Sequence, residues 1–312
     1  MAAPSLRTGL QFALLAVAGY QYVRGTLPLL LLPLLVYAVL SFLDGSETSA
    51  KGRYWEAFQR GPIGRWCVGP DGFLPGRCVY HDEEALASSP QAVFAAFPHG
   101  VVSFHHALMA TDADGFISRF PQHSCHRRRD LAASVTFLIP GWRELLLWMG
   151  CVDAGKRTAR QVLKKGWSMY VLPGGEMEQL MTAQGEHHVY LTRRKGFVKL
   201  AMEYGVDLVP CYGFGETDLY HTSKFLLDAR LWLCKTLRVA IPLAAGLGFL
   251  TMIPQRKPLH CVVGAPIKVE KNEHPTPQEV DALHATFTRE LQALFDAHKA
   301  ECGHPHAKLE IH

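Results

Sequence analysis

Residues 95–104 read AAFPHGVVSF, and this stretch interrupts a bulky apolar run with a proline, a histidine and a glycine. The apolar residues Ala92–Phe97 are typical of a strand buried in a sheet. After such a strand, Pro98 restricts the backbone, and Gly100 lacks a side chain, which would let backbone N–H groups approach a substrate oxygen. His99 would then lie at the carboxyl edge of the sheet, where α/β proteins place their sites. The pattern is compatible with His99 as a general base, although a single histidine is more often structural.

Strand-like and helix-like segments alternate along the rest of this region. Short apolar runs predict three further strands, at 168–172, 207–212 and 259–263. Periodic apolar positions predict helices at 158–165, at 196–204 with Gly205 as the C-terminal cap, and at 276–300 with Thr276 as the N-cap. Strands that alternate with helices imply an α/β fold with a mixed, largely parallel sheet and flanking helices.

The composition is that of a mildly basic chain with a large apolar fraction. It has 312 residues, 48% of them hydrophobic, a formal net charge of +4 and a pI of about 8.6. So small a positive charge does not favour a nucleic-acid-binding protein, but it suits an anionic membrane face or an anionic cofactor. The eight cysteines form no close pairs, so we expect reduced thiols facing the cytosol rather than a zinc knuckle or a disulfide framework.

The N-terminal region has the composition of a membrane segment. Two apolar arms, Leu10–Val23 and Thr26–Leu43, flank Arg24 and Gly25, and the second arm approaches the ~20 residues that a bilayer-spanning helix needs. A cleaved signal peptide, a single anchor and a re-entrant hairpin all fit this pattern. We favour the hairpin because Arg24-Gly25 suits a turn. We therefore divide the chain into a membrane hairpin (1–44), an irregular membrane-surface segment (45–90) and an α/β domain (91–312).

A later apolar stretch, residues 239–253, is interrupted by Pro242, Gly246 and Gly248. It either dips into the bilayer, lines a lipid tunnel or forms a buried corner between a loop and a helix. The sequence pattern leaves these alternatives open.

A glycine-rich turn follows the strand predicted at 168–172. Gly174 and Gly175 could expose backbone N–H groups or seat a phosphate, and Glu176 and Glu178 could orient an imidazole. The alternative is an ordinary strand-to-helix turn with solvated acids.

Two further clusters carry cationic or metal-ligating side chains. Arg193, Arg194 and Lys195 precede a helix and suit a phosphate-bearing cofactor, although basic surface loops are common. The pairs His105-His106 and His187-His188 lack a carboxylate or cysteine at a ligand spacing. We therefore expect these histidines to face solvent and predict no metal site.

Four blocks in order along the chain carry a family resemblance. The most specific is RKGFVKLAMEYGVDLVPCYGFGETDLY at 194–220, and the others are VLPGGEMEQL at 171–180, PLHCVVGAPI at 258–267 and LFDAHKAECG at 294–303. Together they resemble the type-2 acyl-CoA:diacylglycerol acyltransferase family, which includes monoacylglycerol and wax-alcohol acyltransferases. The match runs from about Val93 to Glu310. It implies a glycerolipid-acyltransferase-like α/β fold preceded by a membrane hairpin, with 91–312 as the acyltransferase domain.

The resemblance also implies a chemistry for the residues singled out above. His99 matches the family's usual catalytic histidine and Glu178 its glutamate, and His99 would be the general base in acyl transfer from a thioester to a hydroxyl. The segment Pro98–Gly100 and the Gly174-Gly175 turn would contact substrate and supply oxyanion donors. The cations Arg193, Arg194 and Lys195 would hold the CoA phosphates. No metal or redox cofactor is expected, because acyl-CoA is a substrate.

Two departures limit the resemblance. Phe97 stands where the family usually has the first histidine of His-Pro-His-Gly, which puts in doubt any scheme that uses both histidines. Related glycerolipid acyltransferases carry His-x4-Asp, but Phe104 occupies the aspartate position here. Glu178 or Asp112 would have to orient His99 instead.

The implied substrates are acyl-CoA and diacylglycerol, with triacylglycerol as the product. The implied location is the endoplasmic reticulum membrane, with the catalytic domain facing the cytosol, and lipid droplets as a second site. Membrane lipid is an expected partner, nucleic acid is not, and a homo-oligomer is left open. Monoacylglycerol or long-chain alcohol acceptors are alternatives, and so is an inactive lipid-binding relative. A serine lipid hydrolase is disfavoured because the sequence has no G-x-S-x-G motif.

Overall fold

A seven-stranded mixed sheet lies at the centre of the computed structural model, which describes residues 31–237, 240–248 and 253–312. The strands in chain order are β1 Gly76–Tyr80, β2 Ala92–Phe97, β3 Arg128–Ala132, β4 Cys151–Asp153, β5 Ser168–Val171, β6 His188–Val189, β7 Asp207–Phe214, β8 His221–Thr222, β9 Ala244–Ala245, β10 Leu259–Val263 and β11 Glu310–Ile311. The order in the main sheet is β1-β10-β7-β2-β5-β3-β4, and two small sheets pair β6 with β11 and β8 with β9.

Strand β2 occupies the middle of the main sheet. It runs parallel to both of its neighbours, β5 and β7, and within this sheet only the β10–β7 pair is antiparallel. Successive side chains of a strand point to opposite faces, so β2 contributes to two cores. One contains Ala92, Phe94 and Ala96, and the other Val93, Ala95 and Phe97. Burial on both faces explains the unbroken apolar run of β2. The strand directions confirm the predicted mixed, largely parallel sheet.

The helices at 62–68, 83–88, 104–110 and 116–119 pack into the core that contains Phe94, and those at 156–164, 196–204 and 277–298 pack into the core that contains Phe97. Twelve α-helices lie within the described residues. They are α1 Leu31–Asp44, α2 Glu56–Gln59, α3 Pro62–Val68, α4 Glu83–Ser88, α5 Phe104–Ala110, α6 Phe116–Arg119, α7 Trp142–Trp148, α8 Lys156–Lys164, α9 Gly175–Met181, α10 Gly196–Tyr204, α11 Leu227–Leu237 and α12 Pro277–His298.

Several of these elements match the sequence prediction closely. Strands β2 and β10 have the predicted bounds, and α10 ends at Gly205, whose φ of 65° is the left-handed cap conformation. Helix α12 begins after Thr276, which forms a capping box with Glu279. Strand β7 continues past its predicted end to Phe214. The elements with strong local signals were therefore predictable.

The segment 45–90 is more regular than predicted. It contains α2, α3 and α4, and it supplies β1, an edge strand of the main sheet that pairs in parallel with β10. The prediction of an irregular segment is therefore wrong here, because β1 is too short and too polar to be recognised without its partner. The domain limits themselves stay a prediction.

The N-terminal arms are only partly within the described residues. The first arm, Leu10–Val23, and the start of the second lie outside them, whereas the 14-residue helix α1 covers the second arm from Leu31 to its end and continues to Asp44. Among the described helices, none combines the length and the apolar character needed to cross a bilayer. The membrane hairpin therefore stays a prediction.

The large apolar side chains of the stretch 239–253 are exposed where the structure describes them. Ile241, Leu243, Leu247 and Ile253 expose 45%, 38%, 52% and 40% of their surface. This exposure contradicts a buried corner for these residues. The remaining members, 239 and 249–252, lie outside the described residues.

Candidate active site

Three loops converge at the carboxyl edge of the central strands. His99 follows β2, the Gly174-Gly175 turn follows β5, and Glu216 follows β7. Because β5, β2 and β7 are adjacent and parallel, their carboxyl ends lie side by side. This is the edge at which α/β sheets place their sites.

His99 has the geometry of an oriented base. Its half-buried ring donates a hydrogen bond from Nδ1 to the Gly100 carbonyl oxygen, at 3.1 Å. A carbonyl can only accept, so Nδ1 carries the proton and Nε2 keeps its lone pair. Burial lowers the pKa of His99 below its usual range, although the nearby Glu216 carboxylate opposes this shift. His99 is therefore neutral at neutral pH, with Nε2 able to accept a proton.

Glu178 holds the backbone of His99 rather than its ring. It lies on α9 with only 2% of its surface exposed. Its carboxylate accepts hydrogen bonds from the His99 N–H and, at 2.7 Å, from the Tyr190 N–H. The next residue, Gln179, donates to the Val101 carbonyl at 2.6 Å. The expectation that Glu178 orients the imidazole directly is corrected: it positions the loop that carries it.

The environment of Glu178 makes its charge costly. Burial raises its pKa to about 7, even though the two backbone N–H groups and Arg194 act in the opposite direction. The carboxylate therefore gains its proton close to neutral pH, and its role as a double acceptor depends on pH.

A second buried carboxylate, Glu216, was not assigned a role from the sequence. It exposes 1% of its surface and accepts hydrogen bonds from the Phe104 N–H at 3.0 Å and the His105 N–H at 2.9 Å. It also bonds His105 Nδ1 at 3.0 Å. Ser103, the N-cap residue of α5, makes no side-chain cap, so Glu216 satisfies the first N–H groups of this helix in its place. Its position in the sequence, directly after Gly215, gave no indication of this long-range contact.

Two glycines make room for these carboxylates. A Cβ atom on Gly100 would lie 2.7 Å from Glu216 Oε1, and one on Gly174 would lie closer still to the Glu178 carboxylate. Gly100 also has a φ of 61°, which disfavours other residues. Each glycine therefore allows one glutamate to approach the backbone.

The candidate oxyanion donors differ in whether their N–H groups already donate a hydrogen bond within the protein. The Gly175 N–H already donates to the Leu172 carbonyl at 3.1 Å, so it is occupied. Among the described residues, none accepts a hydrogen bond from the Gly100 or Val101 N–H. The segment directly after His99 therefore offers donors that the Gly175 position does not.

The three predicted phosphate-binding cations have different surroundings. Arg194 donates to the Gly174 carbonyl at 3.2 Å and lies near enough to lower the pKa of Glu178. Lys195 forms an ion pair with Asp281 of α12 at 2.7 Å. Arg193 is exposed. Only Arg194 is thus tied directly to the turn beside the candidate site.

The expectation of solvent-facing histidine pairs is wrong for three of the four residues. His105 is fully buried against Glu216, and His106 donates to Asp130 at 2.8 Å. His187 is 7% exposed and bonds the Tyr212 hydroxyl at 2.9 Å. Asp112, the other proposed partner of His99, accepts instead from the Ser118 N–H at 2.9 Å.

Comparison with known proteins agrees with the resemblance seen in the sequence. Residues 22–312 match the pattern of the family described as diacylglycerol acyltransferase. Diacylglycerol O-acyltransferase 1 of Eremothecium gossypii is 32% identical over 241 residues, which cover 72% of this chain and 51% of that protein. The mouse 2-acylglycerol O-acyltransferase 1 is 29% identical, over 86% of this chain and 82% of its own length.

A solved structure, a 1-acyl-sn-glycerophosphate acyltransferase from Thermotoga maritima, aligns with 15% identity and a TM-score of 0.42 over 71% of this chain and 73% of its own. The match to the Eremothecium protein spans about half of that protein's length. The match of the family pattern over most of the chain defines the class: this protein belongs to the diacylglycerol acyltransferase family.

The contact between Gly100 and Glu216 predicts a specific cost of adding a methyl group. Gly100→Ala should lower the free energy of unfolding by about 1–2 kcal/mol for the left-handed backbone and by about 1–3 kcal/mol more for the collision with Glu216. Gly115→Ala is the matched control, since Gly115 has a φ of 79° but no atom within 4 Å of the added Cβ. Chemical denaturation of the two variants measures the difference, and equal losses would contradict a close packing of Glu216 on Gly100.

Proposed function

We propose that this protein transfers a fatty acyl group from acyl-CoA to diacylglycerol, forming triacylglycerol. The observation that carries the proposal is the ring of His99, whose Nδ1–H is held by the Gly100 carbonyl so that Nε2 is the basic atom. The ring lies at the carboxyl edge of the central strands, on a loop fixed by Glu178. Membership of the diacylglycerol acyltransferase family supports this chemistry.

The proposed reaction begins with proton transfer to His99. Nε2 removes the proton of the acceptor hydroxyl as its oxygen attacks the thioester carbonyl carbon. The carbonyl oxygen becomes an oxyanion in the tetrahedral intermediate, and the N–H groups of Gly100 and Val101 are the proposed donors to it. When the intermediate collapses, the C–S bond breaks, and the CoA sulfur takes the proton from His99. Every step uses groups of the chain and the two substrates, and the leaving thiol, with a pKa of about 8.5, needs little assistance.

We place the CoA phosphates near Arg194. Its guanidinium already lies at the Gly174 carbonyl, next to the turn that follows β5. Arg193 is exposed and adjacent in sequence, and a flexible cation at this position can join a phosphate contact. Lys195 has the weaker claim because it is paired with Asp281.

The proposal places the active site at a membrane surface, which gives it access to water-insoluble acylglycerols. Exposed large apolar side chains support this placement, because Val36, Leu40 and Leu43 fall on one face of α1, and contiguous exposed apolar surface marks membrane or partner contacts. Such side chains occur on α1, on the segment 55–66, at 139 and between 225 and 253: Val36, Leu40, Leu43, Trp55, Ile63, Trp66, Ile139, Phe225, Leu226, Trp232, Ile241, Leu243, Leu247 and Ile253. We propose a membrane hairpin at 1–44 and location at the cytosolic face of the endoplasmic reticulum, with lipid droplets as a second site.

Monoacylglycerol is the second candidate acceptor, because the mouse relative carries the name 2-acylglycerol O-acyltransferase 1. A long-chain alcohol is a third acceptor to be tested. The inactive-relative alternative rests on Phe97, and this side chain is fully buried with its ring 6.4 Å from that of Phe287. Its burial makes Phe97 a packing residue of the core beneath α12, which weakens that alternative.

The role of His99 predicts loss of acyl transfer when its ring is removed. Membranes that carry the protein are incubated with labelled oleoyl-CoA and, separately, with diacylglycerol, monoacylglycerol or a long-chain alcohol. The parent should form triacylglycerol at the highest rate. His99→Ala should lower kcat by about 100-fold or more, the contribution of a positioned general base. The exposed His274 provides the control His274→Ala, which should keep the parent rate.

Other outcomes separate the parts of the proposal. A higher rate with monoacylglycerol or the alcohol would keep the chemistry and overturn diacylglycerol as the acceptor. Ester formation at the parent rate by His99→Ala would overturn the role of His99. A folded parent protein that makes no ester would favour the lipid-binding alternative.

The different surroundings of the cations predict different kinetic effects. Arg194→Ala should raise KM for acyl-CoA by about tenfold, since a charge-assisted hydrogen bond contributes about 1.5–3 kcal/mol. Lys195→Ala should change KM by less than about threefold, because Lys195 is paired with Asp281 of α12, whereas Arg194 contacts the turn after β5. Initial rates at varied oleoyl-CoA concentration measure both, and a larger effect at Lys195 would contradict the placement of the phosphates.

A further inference from the structure

The small sheet formed by β6 and β11 places metal-ligating side chains on one face. His188 of β6 pairs directly with Glu310 of β11 in a parallel register. His312 follows Glu310 by two residues, so its side chain returns to the same face. Glu186 stands two residues before His188 and bonds it on that face. Residues far apart in sequence thus form a cluster of two imidazoles and two carboxylates.

The distances within this cluster are those of metal ligands. His188 Nδ1 lies 3.1 Å from His312 Nε2 and 3.3 Å from Glu310 Oε2, and the three ligand atoms all lie within 4.8 Å of one another. Zinc bonds to nitrogen and oxygen are about 2.0–2.2 Å long, so ligand atoms in a tetrahedral site are separated by roughly 3.3 Å. The side chains therefore need little movement to share one ion.

We propose that His188, Glu310 and His312 form a binding site for a divalent transition-metal ion of the zinc type. Two imidazoles and one carboxylate suit zinc, and a three-ligand set leaves a fourth position for water. The His188 side chain is 25% exposed and that of Glu310 63%, so an ion can enter from solvent. The sequence suggested no such site because the other two ligands, Glu310 and His312, lie far from His188 along the chain, in β11 and directly after it.

Neighbouring groups hold both imidazoles in ligating orientations. His188 Nε2 donates to Glu186 Oε2 at 2.9 Å, which leaves the lone pair of Nδ1 directed at the proposed ion. A carboxylate on the far nitrogen is the usual support of a zinc-bound histidine. The ring of His312 stacks on Tyr190, with 5.1 Å between centroids and 25° between planes.

The site would join the C-terminal strand to the segment that supports the candidate active site. The His312 carbonyl accepts hydrogen bonds from the Leu191 and Thr192 N–H groups, at 2.9 and 2.8 Å. In the same segment, the Tyr190 N–H bonds Glu178, which in turn holds His99. An ion bound only by the folded protein stabilises it by mass action. Metal binding should therefore stabilise this junction.

The test uses the full chain without an affinity tag, purified in detergent and stripped with a chelator. Titration with Co²⁺ should give the strong visible absorption of a tetrahedral site at one equivalent, and Zn²⁺ should remove that absorption by displacement. Zn²⁺ should also raise the midpoint of thermal unfolding. Both readouts are independent of acyl transfer, so they remain informative even if the proposed reaction is wrong.

Variants localise the ion to this cluster. His188→Ala should abolish the Co²⁺ absorption, and so should His312→Ala, which changes an exposed side chain. Glu186→Gln should weaken Co²⁺ binding by about tenfold or more, because Glu186 supports the ring of His188. His274→Ala, which changes an exposed histidine elsewhere, should bind like the parent. Absence of a Co²⁺ spectrum in the folded parent, or an unchanged spectrum in either His188→Ala or His312→Ala, would overturn the proposal.

Discussion

Two hydrogen bonds to a single buried carboxylate connect the parts of the candidate site. Glu178 accepts from the His99 N–H after β2 and from the Tyr190 N–H near β6, while its own helix α9 begins at the glycine turn after β5. A buried N–H without an acceptor costs about 1–3 kcal/mol, so the carboxylate fixes both segments strongly. The orientation of the His99 ring depends on this backbone anchor, since its own Nδ1 bond goes to the adjacent Gly100 carbonyl.

The same arrangement carries a cost in stability. Burial raises the pKa of Glu178 from 4.5 to about 7, so the folded protein binds this proton more tightly than the unfolded chain does. The resulting stabilisation is complete below pH 4.5 and is lost as pH rises toward 7. The ionised form, which can accept both N–H bonds fully, is therefore the less favourable one for folding. Glu216 also accepts hydrogen bonds from two backbone N–H groups, and it lies next to Gly100 with His105 as an added partner.

The sequence predicted the fold where local signals were strong and missed contacts made over long distances. The apolar run of β2 and the Thr276 cap of α12 were sufficient to locate these elements, and His99 was correctly placed at the end of a central strand. The role of Glu216 depends on the adjacency of β7 and β2, which no local pattern contains. His105 was expected to face solvent because its partner Glu216 lies 111 residues away along the chain, so the local sequence does not indicate the contact. Likewise, β6 and β11 have two residues each and are recognisable only as a pair.

The central claim is that the ionised Glu178 carboxylate positions His99 for catalysis. The most direct test is the pH dependence of kcat/KM for Glu178→Gln, with Glu176→Gln on the same helix as the control. The parent should lose activity as pH falls through about 7, where Glu178 gains its proton. Glu178→Gln should lower kcat by about tenfold, because the amide NH₂ group would face one of the two backbone N–H donors. The acidic limb of its kcat/KM profile should move below pH 7, since only the protonation of His99, whose pKa is lowered by burial, would remain. Parental rates and an unshifted limb in Glu178→Gln would contradict this account.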